Sequence, residues 1–187
     1  MRFFLFVILI FAGCKMPSPS AGLRNAPLPD VQARTLRGDT IELASLYAKT
    51  PLLLSVYLGN GCPMCVMNLQ MLSQHAPRFR SYGWELAALS NDSPEQNRIA
   101  LSERSSEGGL AQVGGFDIAL YSDMNHNAME TLGCYRRPLD TERHGLFLID
   151  ANGIVRFDTV TRTPFEDYEF LAEQLKLISA SSVAASK

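Results

Sequence analysis

The sequence predicts an α/β fold in which a mixed central sheet carries helices on both faces. Short apolar runs alternate with helical segments along most of the chain, the pattern that builds a parallel sheet covered on both sides. Late in the chain two strands follow one another across the tight turn Ala151-Asn152-Gly153, which adds antiparallel strands to that sheet. Of the 187 residues, about 150 between Pro29 and Ala180 read as one domain with enough chain for a real core.

The first fourteen residues bear on location. Arg2 is a minimal positive segment, Phe3 to Phe11 an apolar stretch, and Ala12-Gly13 are small residues before Cys14. About ten apolar residues are too few for the ~20 that span a bilayer, so the segment reads as a secretory signal. Its end, Phe11-Ala12-Gly13-Cys14, resembles the bacterial lipoprotein signal. That resemblance implies a lipid on Cys14, a periplasm-facing place in the cell envelope, and membrane attachment by lipid alone. Lys15 stands where an Asp would resemble an inner-membrane retention signal, which favours the outer membrane in a Gram-negative cell. Residues 14–29 are rich in Pro, Ser, Ala and Gly and suit a flexible tether between the signal at 1–13 and a domain at 30–180. With a net charge of −2 and no basic block, nucleic acid is not an expected partner.

Val31–Thr35 and Thr40–Leu43 form a hairpin turning at Gly38, and Ala44–Lys49 a brief helix. Leu52–Leu58 is a buried strand, and Val66–Gln74 lies in the helix after it. Met64, Met67 and Met71 recur at helical spacing on that helix and read as a core-facing stripe. Trp84–Ser90 is a second buried strand. Ser93 then caps a helix with Pro94 at its first position, running to about Ser105; Asp92 and Glu95 suit that helix start. Ile118–Ser122 is a third strand and Asn125–Leu132 a short helix. Gly145–Asp150 and Ile154–Thr159 are the late hairpin. Thr163-Pro164-Phe165-Glu166 reads as a capping box opening a last helix to Ile178, with a frayed tail over 181–187.

Against this order the cysteines gain meaning. Cys62-Pro63-Met64-Cys65 falls where the first long strand gives way to a helix. A thiol there meets the positive end of the helix dipole and unpaired backbone N–H groups, which favour the nucleophilic thiolate. No second C-x-x-C or histidine pair completes a zinc site. A C-x-x-C at the first strand–helix junction of such a chain reads as thioredoxin-like. Cys134 is left over and reads as a buried structural thiol; His75 and His126 read as surface residues, and Tyr57 as packing.

Val56 to Cys65, Leu89 to Glu95, Tyr121-Ser122-Asp123 and Gly145 to Asp150 together resemble the redoxin group, the alkyl hydroperoxide reductase/thiol-specific antioxidant branch of the thioredoxin-like superfamily. The resemblance spans about residues 28–178. It implies an oxidoreductase with Cys62 and Cys65 as catalytic pair and redox-active disulfide, a thiol protein as electron partner, a peroxide or protein disulfide as substrate, and neither organic cofactor nor metal. Pro63, Arg143 and His144 are the implied accessory residues.

The departures are specific. Laid on the P-x-x-x-T-x-x-C motif of peroxiredoxins, the peroxide-attacking cysteine is Cys65, while Leu58 stands for the proline and Cys62 for the threonine. The helper arginine falls on His144, with Arg143 beside it. Losing that hydroxyl and guanidinium removes transition-state stabilisation for O–O cleavage. The expected function is therefore disulfide exchange with Cys62 as nucleophile and Cys65 resolving. The alternative is peroxide reduction with the roles inverted. A third class, copper-delivery proteins of the Sco type, shares the fold but spaces its cysteines C-x-x-x-C; two thiolates and His144 could hold Cu(I).

Overall fold

A computed structural model describes residues 22–103, 109–111 and 115–185. The signal, Cys14 and the final two residues lie outside the described residues. Seven strands form one sheet in the order β2-β1-β5-β4-β3-β8-β9. Its centre is β3 (Leu52–Val56), β4 (Glu85–Ser90) and β5 (Ala119–Ser122), which run parallel. β1 (Gln32–Arg34) and β2 (Thr40–Glu42) are the expected hairpin, and β1 joins antiparallel to β5. On the other side β8 (His144–Ile149) pairs antiparallel with β3, and β9 (Val155–Thr161) with β8. The predicted mixed sheet is therefore present, with an antiparallel pair on each flank.

β3 is buried at every position and β8 likewise, because both faces of these central strands are covered. One face packs Leu53, Leu86, Leu146 and Leu148 against Leu69, Leu72 and Phe79 of α2 (Pro63–Ser81) and Leu171 and Leu175 of α5 (Tyr168–Ala185). The other packs Leu52, Leu54, Phe147 and Ile149 against Ala128 and Met129 of α4 (Asn127–Thr131) and Leu132 just after it, with Leu46 and Tyr47 of α1 (Ala44–Tyr47). Trp84 is fully buried and donates its Nε1–H to Leu175 O (3.1 Å) and Ser179 Oγ (2.9 Å), which ties α5 to the sheet.

Several boundaries differ from the sequence expectation. The core-facing stripe of α2 is not the methionines: Met64, Met67 and Met71 are 47, 54 and 37 % exposed. The buried stripe is Cys65, Leu69, Leu72, Ala76 and Phe79, which keeps helical spacing along nearly the whole helix. It also carries α2 through Pro77 to Ser81, although an internal proline costs about 3 kcal/mol. The packed body reaches back into the predicted tether: Asn25 N bonds Val155 O (2.7 Å), Leu28 N bonds Gly153 O (2.8 Å), and Leu28 is buried. At the other end Thr163–Glu166 is not the helix start. Asp167 accepts from Phe170 N at 3.0 Å and opens α5 at Tyr168, and the helix continues to Ala185 instead of fraying after Ile178. α3 (Pro94–Ser102) has the expected Ser93 cap, completed by Gln96 as a capping box. A two-residue ribbon, β6 (Tyr135–Arg136) with β7 (Thr141–Glu142), is too short to show periodicity in the sequence.

Candidate active site

α2 begins directly on the cysteine pair. Cys62 is its N-cap, with extended backbone (φ −101°, ψ 106°), and Pro63 takes the first helical position, where a missing N–H costs nothing. Cys62 Sγ accepts from Cys65 N at 3.3 Å, so the sulfur occupies the seat usually held by a capping oxygen. Cys62 and Cys65 are joined as a disulfide across a Cα–Cα distance of 5.2 Å. The two sulfurs are unequal in access: Cys65 is 1 % exposed, while Cys62 is half-buried between exposed Gly61 and Pro63.

The buried sulfur has a partner from far along the chain. β8 pairs with β3 so that Gly145 lies opposite Val56, which sets His144 at the end of the sheet where the 57–62 loop leaves it. His144 Nε2 is 3.2 Å from Cys65 Sγ, and Nδ1 is 3.1 Å from the Arg162 carbonyl oxygen. The ring is only 5 % exposed, and burial lowers its pKa, offset in part by the bond to that carbonyl. Arg143 is not drawn in: its N–H donates to Cys134 O at 2.7 Å, and its buried Nε has no hydrogen-bond partner among the described residues. Cys134 is the expected buried thiol, its pKa pushed well up by burial, and it packs against the Gly145 backbone on the other face.

A polar cluster under the loop went unrecognised in the sequence. Asp92 turns away from the helix start expected of it. It is buried, and its Oδ2 accepts from Asn60 N (2.7 Å) and Ser90 Oγ (3.0 Å). Tyr57 OH donates to Asn97 Oδ1 at 3.2 Å, and Asn60 Nδ2 reaches the same oxygen at 2.9 Å. Tyr57 thus packs as expected and also helps fix the loop before Cys62. The legible signal was position: Asn60, Asp92 and Ser122 all lie at the C-terminal ends of parallel strands, where open α/β sheets build their sites. His126 and His75 are not simple surface residues. His126 bonds Glu142 Oε1 at 2.6 Å and stacks on Tyr135, while His75 stacks between Phe79 and Tyr168.

Chemically, the arrangement is a two-electron dithiol/disulfide couple with an imidazole on the buried sulfur. Cys62, Cys65 and His144 are also the one group of three potential donor residues that converges among the described residues, within 4.8 Å of one another. As a disulfide the sulfurs carry no thiolate charge, so this oxidation state offers a cation no anionic ligand. No helix among the described residues is long and apolar enough to cross a membrane.

Comparison with known proteins bears on the same residues. Peroxiredoxin-2 of Cricetulus griseus is 32 % identical over 117 residues, covering 63 % of this chain and 57 % of that protein. Peroxiredoxin-4 of Dictyostelium discoideum is 33 % identical over 101 residues, covering 54 % of this chain and 38 % of its own length. A putative peroxiredoxin in a rubredoxin operon of Clostridium pasteurianum is 27 % identical over 143 residues, 74 % of this chain and 78 % of that one. The first two alignments thus span little more than half of the relatives they match, or less. Among solved structures, the reduced 2-Cys peroxiredoxin of Plasmodium vivax superposes with a TM-score of 0.72 at 19 % identity, over 86 % of this chain and 98 % of that chain. The mitochondrial 2-Cys peroxiredoxin of Plasmodium falciparum gives 0.73 at 21 % identity, over 87 % and 98 %. These superpositions show the thioredoxin-like fold. The AhpC/TSA family model matches residues 25–158, a stretch holding both cysteines and His144, and the chain belongs to the AhpC/TSA family.

Proposed function

We propose that this protein is a thiol-dependent peroxidase in which Cys65 attacks peroxide and Cys62 resolves the product. The observation that carries it is the placement of His144 Nε2 on Cys65 Sγ, the sulfur at the position of the peroxide-attacking cysteine. Family membership and the peroxiredoxins among the relatives support the same assignment over the exchange expected from the sequence alone. In the cycle the Cys65 thiolate takes the distal peroxide oxygen, the O–O bond breaks, and sulfenic acid forms. The Cys62 thiol then displaces water to give the disulfide, and a partner dithiol reduces it. One helical turn holds Cys62 within reach, so no large rearrangement is needed for resolution. The work is done in the cell envelope by a chain held through a lipid on Cys14, a location supported by the signal-like segment ending there.

The test is peroxide consumption by the reduced protein beside two variants. Cys65→Ser abolishes turnover, and Cys62→Ser gives a single turnover that stops at a sulfenic acid trappable by dimedone. Continued turnover by Cys65→Ser refutes the assignment. One observation favours a second reading, disulfide exchange led by Cys62: that sulfur is the more exposed of the two. Insulin reduction by the wild type that is lost in Cys62→Ser, without peroxide turnover in the wild type, selects it.

A further inference from the structure

Once the Cys62–Cys65 disulfide is reduced, Cys65 carries a proton, and the hydrogen bonds around His144 define where that proton can go. A carbonyl oxygen only accepts, so the 3.1 Å contact to Arg162 O requires the ring proton on Nδ1. Nε2 is then left with its lone pair, and it is this atom that faces Cys65 Sγ at 3.2 Å. The ring cannot turn away: it is buried at the first position of β8, opposite Thr161 in the sheet. The groups that face it are Cys65 of α2 with Cys62 at the cap of that helix, and Thr161 at the end of β9 with the Arg162 carbonyl just after it. Arg143 precedes it in the chain, the Arg162 side chain is exposed, and no carboxylate bonds the ring among the described residues. Burial disfavours the protonated ring, so the imidazole rests in the neutral form that can accept a proton.

We propose that His144 is a catalytic residue that accepts the Cys65 thiol proton on Nε2 in the reduced protein and returns it to the oxygen leaving from the peroxide. The inference rests on the peroxidase reading for its second step only. In the first step the S–H bond breaks, the proton moves to Nε2, and a thiolate–imidazolium pair forms with Nδ1–H still held by Arg162 O. In the second, the thiolate sulfur forms a bond to the distal peroxide oxygen and is oxidised by two electrons to the sulfenic acid, the O–O bond breaks, and the departing hydroxide or alkoxide takes the Nε2 proton. The cationic ring thereby stands where the resemblance places the helper arginine, and supplies both charge and a proton.

The test uses Cys62→Ser as background and compares it with Cys62→Ser/His144→Asn. Asparagine keeps an N–H for the Arg162 carbonyl and lacks a basic nitrogen, so it preserves a merely structural role. The readouts are the pH profile of iodoacetamide alkylation and the ultraviolet absorbance of thiolate; taking the difference between the two proteins cancels Cys14 and Cys134. With His144 present, the thiolate fraction at neutral pH is expected to be roughly tenfold higher or more, because a histidine-paired cysteine ionises well below the ordinary value of about 8.5. Profiles that coincide within about twofold overturn the proposal. Nitrogen-15 NMR of the unmutated oxidised protein checks it without any substitution: the Nδ1–H tautomer supports it, and the Nε2–H tautomer overturns it. Peroxide consumption separates the two readings. A His144-dependent thiolate with no peroxide consumption keeps the proton transfer and removes the peroxidase; an equal rate of that single turnover with and without His144 overturns the transfer.

Discussion

Replacing Gly145 with alanine places a methyl carbon 2.4 Å from Cys134 Sγ and 2.7 Å from Phe147 Cε2, both in fully buried side chains. Neither neighbour is free to yield. Gly145 is itself buried in the sheet, hydrogen-bonded in register with Val56 on one side and Val160 on the other. Forcing one methyl group into such a core costs about 2 kcal/mol, within the usual range for overpacking. For a domain of this size that lowers the melting temperature by about 4–8 °C. A double-mutant cycle isolates the cause. Cys134→Ala alone removes a buried sulfur and costs about 1 kcal/mol. In the double variant the sulfur clash is gone and only the Phe147 contact remains, so the combined cost falls short of the sum by about 1 kcal/mol. Urea unfolding of the four proteins measures this. Additivity to within about 0.5 kcal/mol refutes the packing argument. Because Gly145 follows His144 directly, Gly145→Ala is also expected to loosen the histidine from Cys65 and reduce the neutral-pH thiolate of the Cys62→Ser protein.

The remaining predictions concern pH and the loop. Burial holds His144 below its ordinary pKa, so the unfolded chain binds the proton more readily and stability rises with pH through this window. Stability should fall as pH drops below about 6.5, and His144→Asn should flatten that part of a urea-midpoint profile. Cys134 has the opposite sign, since its folded pKa is raised. Its contribution is complete at neutral pH and is lost as pH climbs above about 8.5, a decline that Cys134→Ala should remove. Gly59 has φ +97°, and an alanine Cβ there would lie 2.9 Å from the Asp92 carboxylate. Gly59→Ala therefore strains the backbone and displaces the acceptor of Asn60 N, for about 2–4 kcal/mol in all. Faster reduction of the Cys62–Cys65 disulfide by dithiothreitol is the expected sign that the loop has loosened.

Local chemistry is what the sequence expressed well. Pro63 suits the start of α2, Ser93-Pro94 suits the opening of a helix, and Asn152-Gly153 turns a hairpin cheaply, so these junctions are legible residue by residue. The C-x-x-C at a strand–helix junction followed from the same logic. Where two local patterns competed, the sequence misled: the methionine spacing on α2 is as helical as the leucine spacing, and only the length of the buried stripe separates them. The Asp92 carboxylate looked like a helix-start charge because its real partners, Asn60 N and Ser90 Oγ, come from the loop and strand around it.

By itself, then, the sequence determined the order of elements, the thiol pair and its place at a helix N-terminus, because hydrophobic period, caps and turns act over a few residues. The family resemblance already puts His144 beside the pair; that its Nε2 faces the Cys65 sulfur, and that Cys65 is 1 % exposed, belong to the tertiary structure. His144 is 79 residues from Cys65 and reaches it only because β8 inserts beside β3 in a register that puts Gly145 opposite Val56. The tautomer of that histidine is set by a carbonyl on yet another strand end, at Arg162. Sheet register and burial are long-range properties of the packed chain, and they decide the chemistry that the local motif only makes possible.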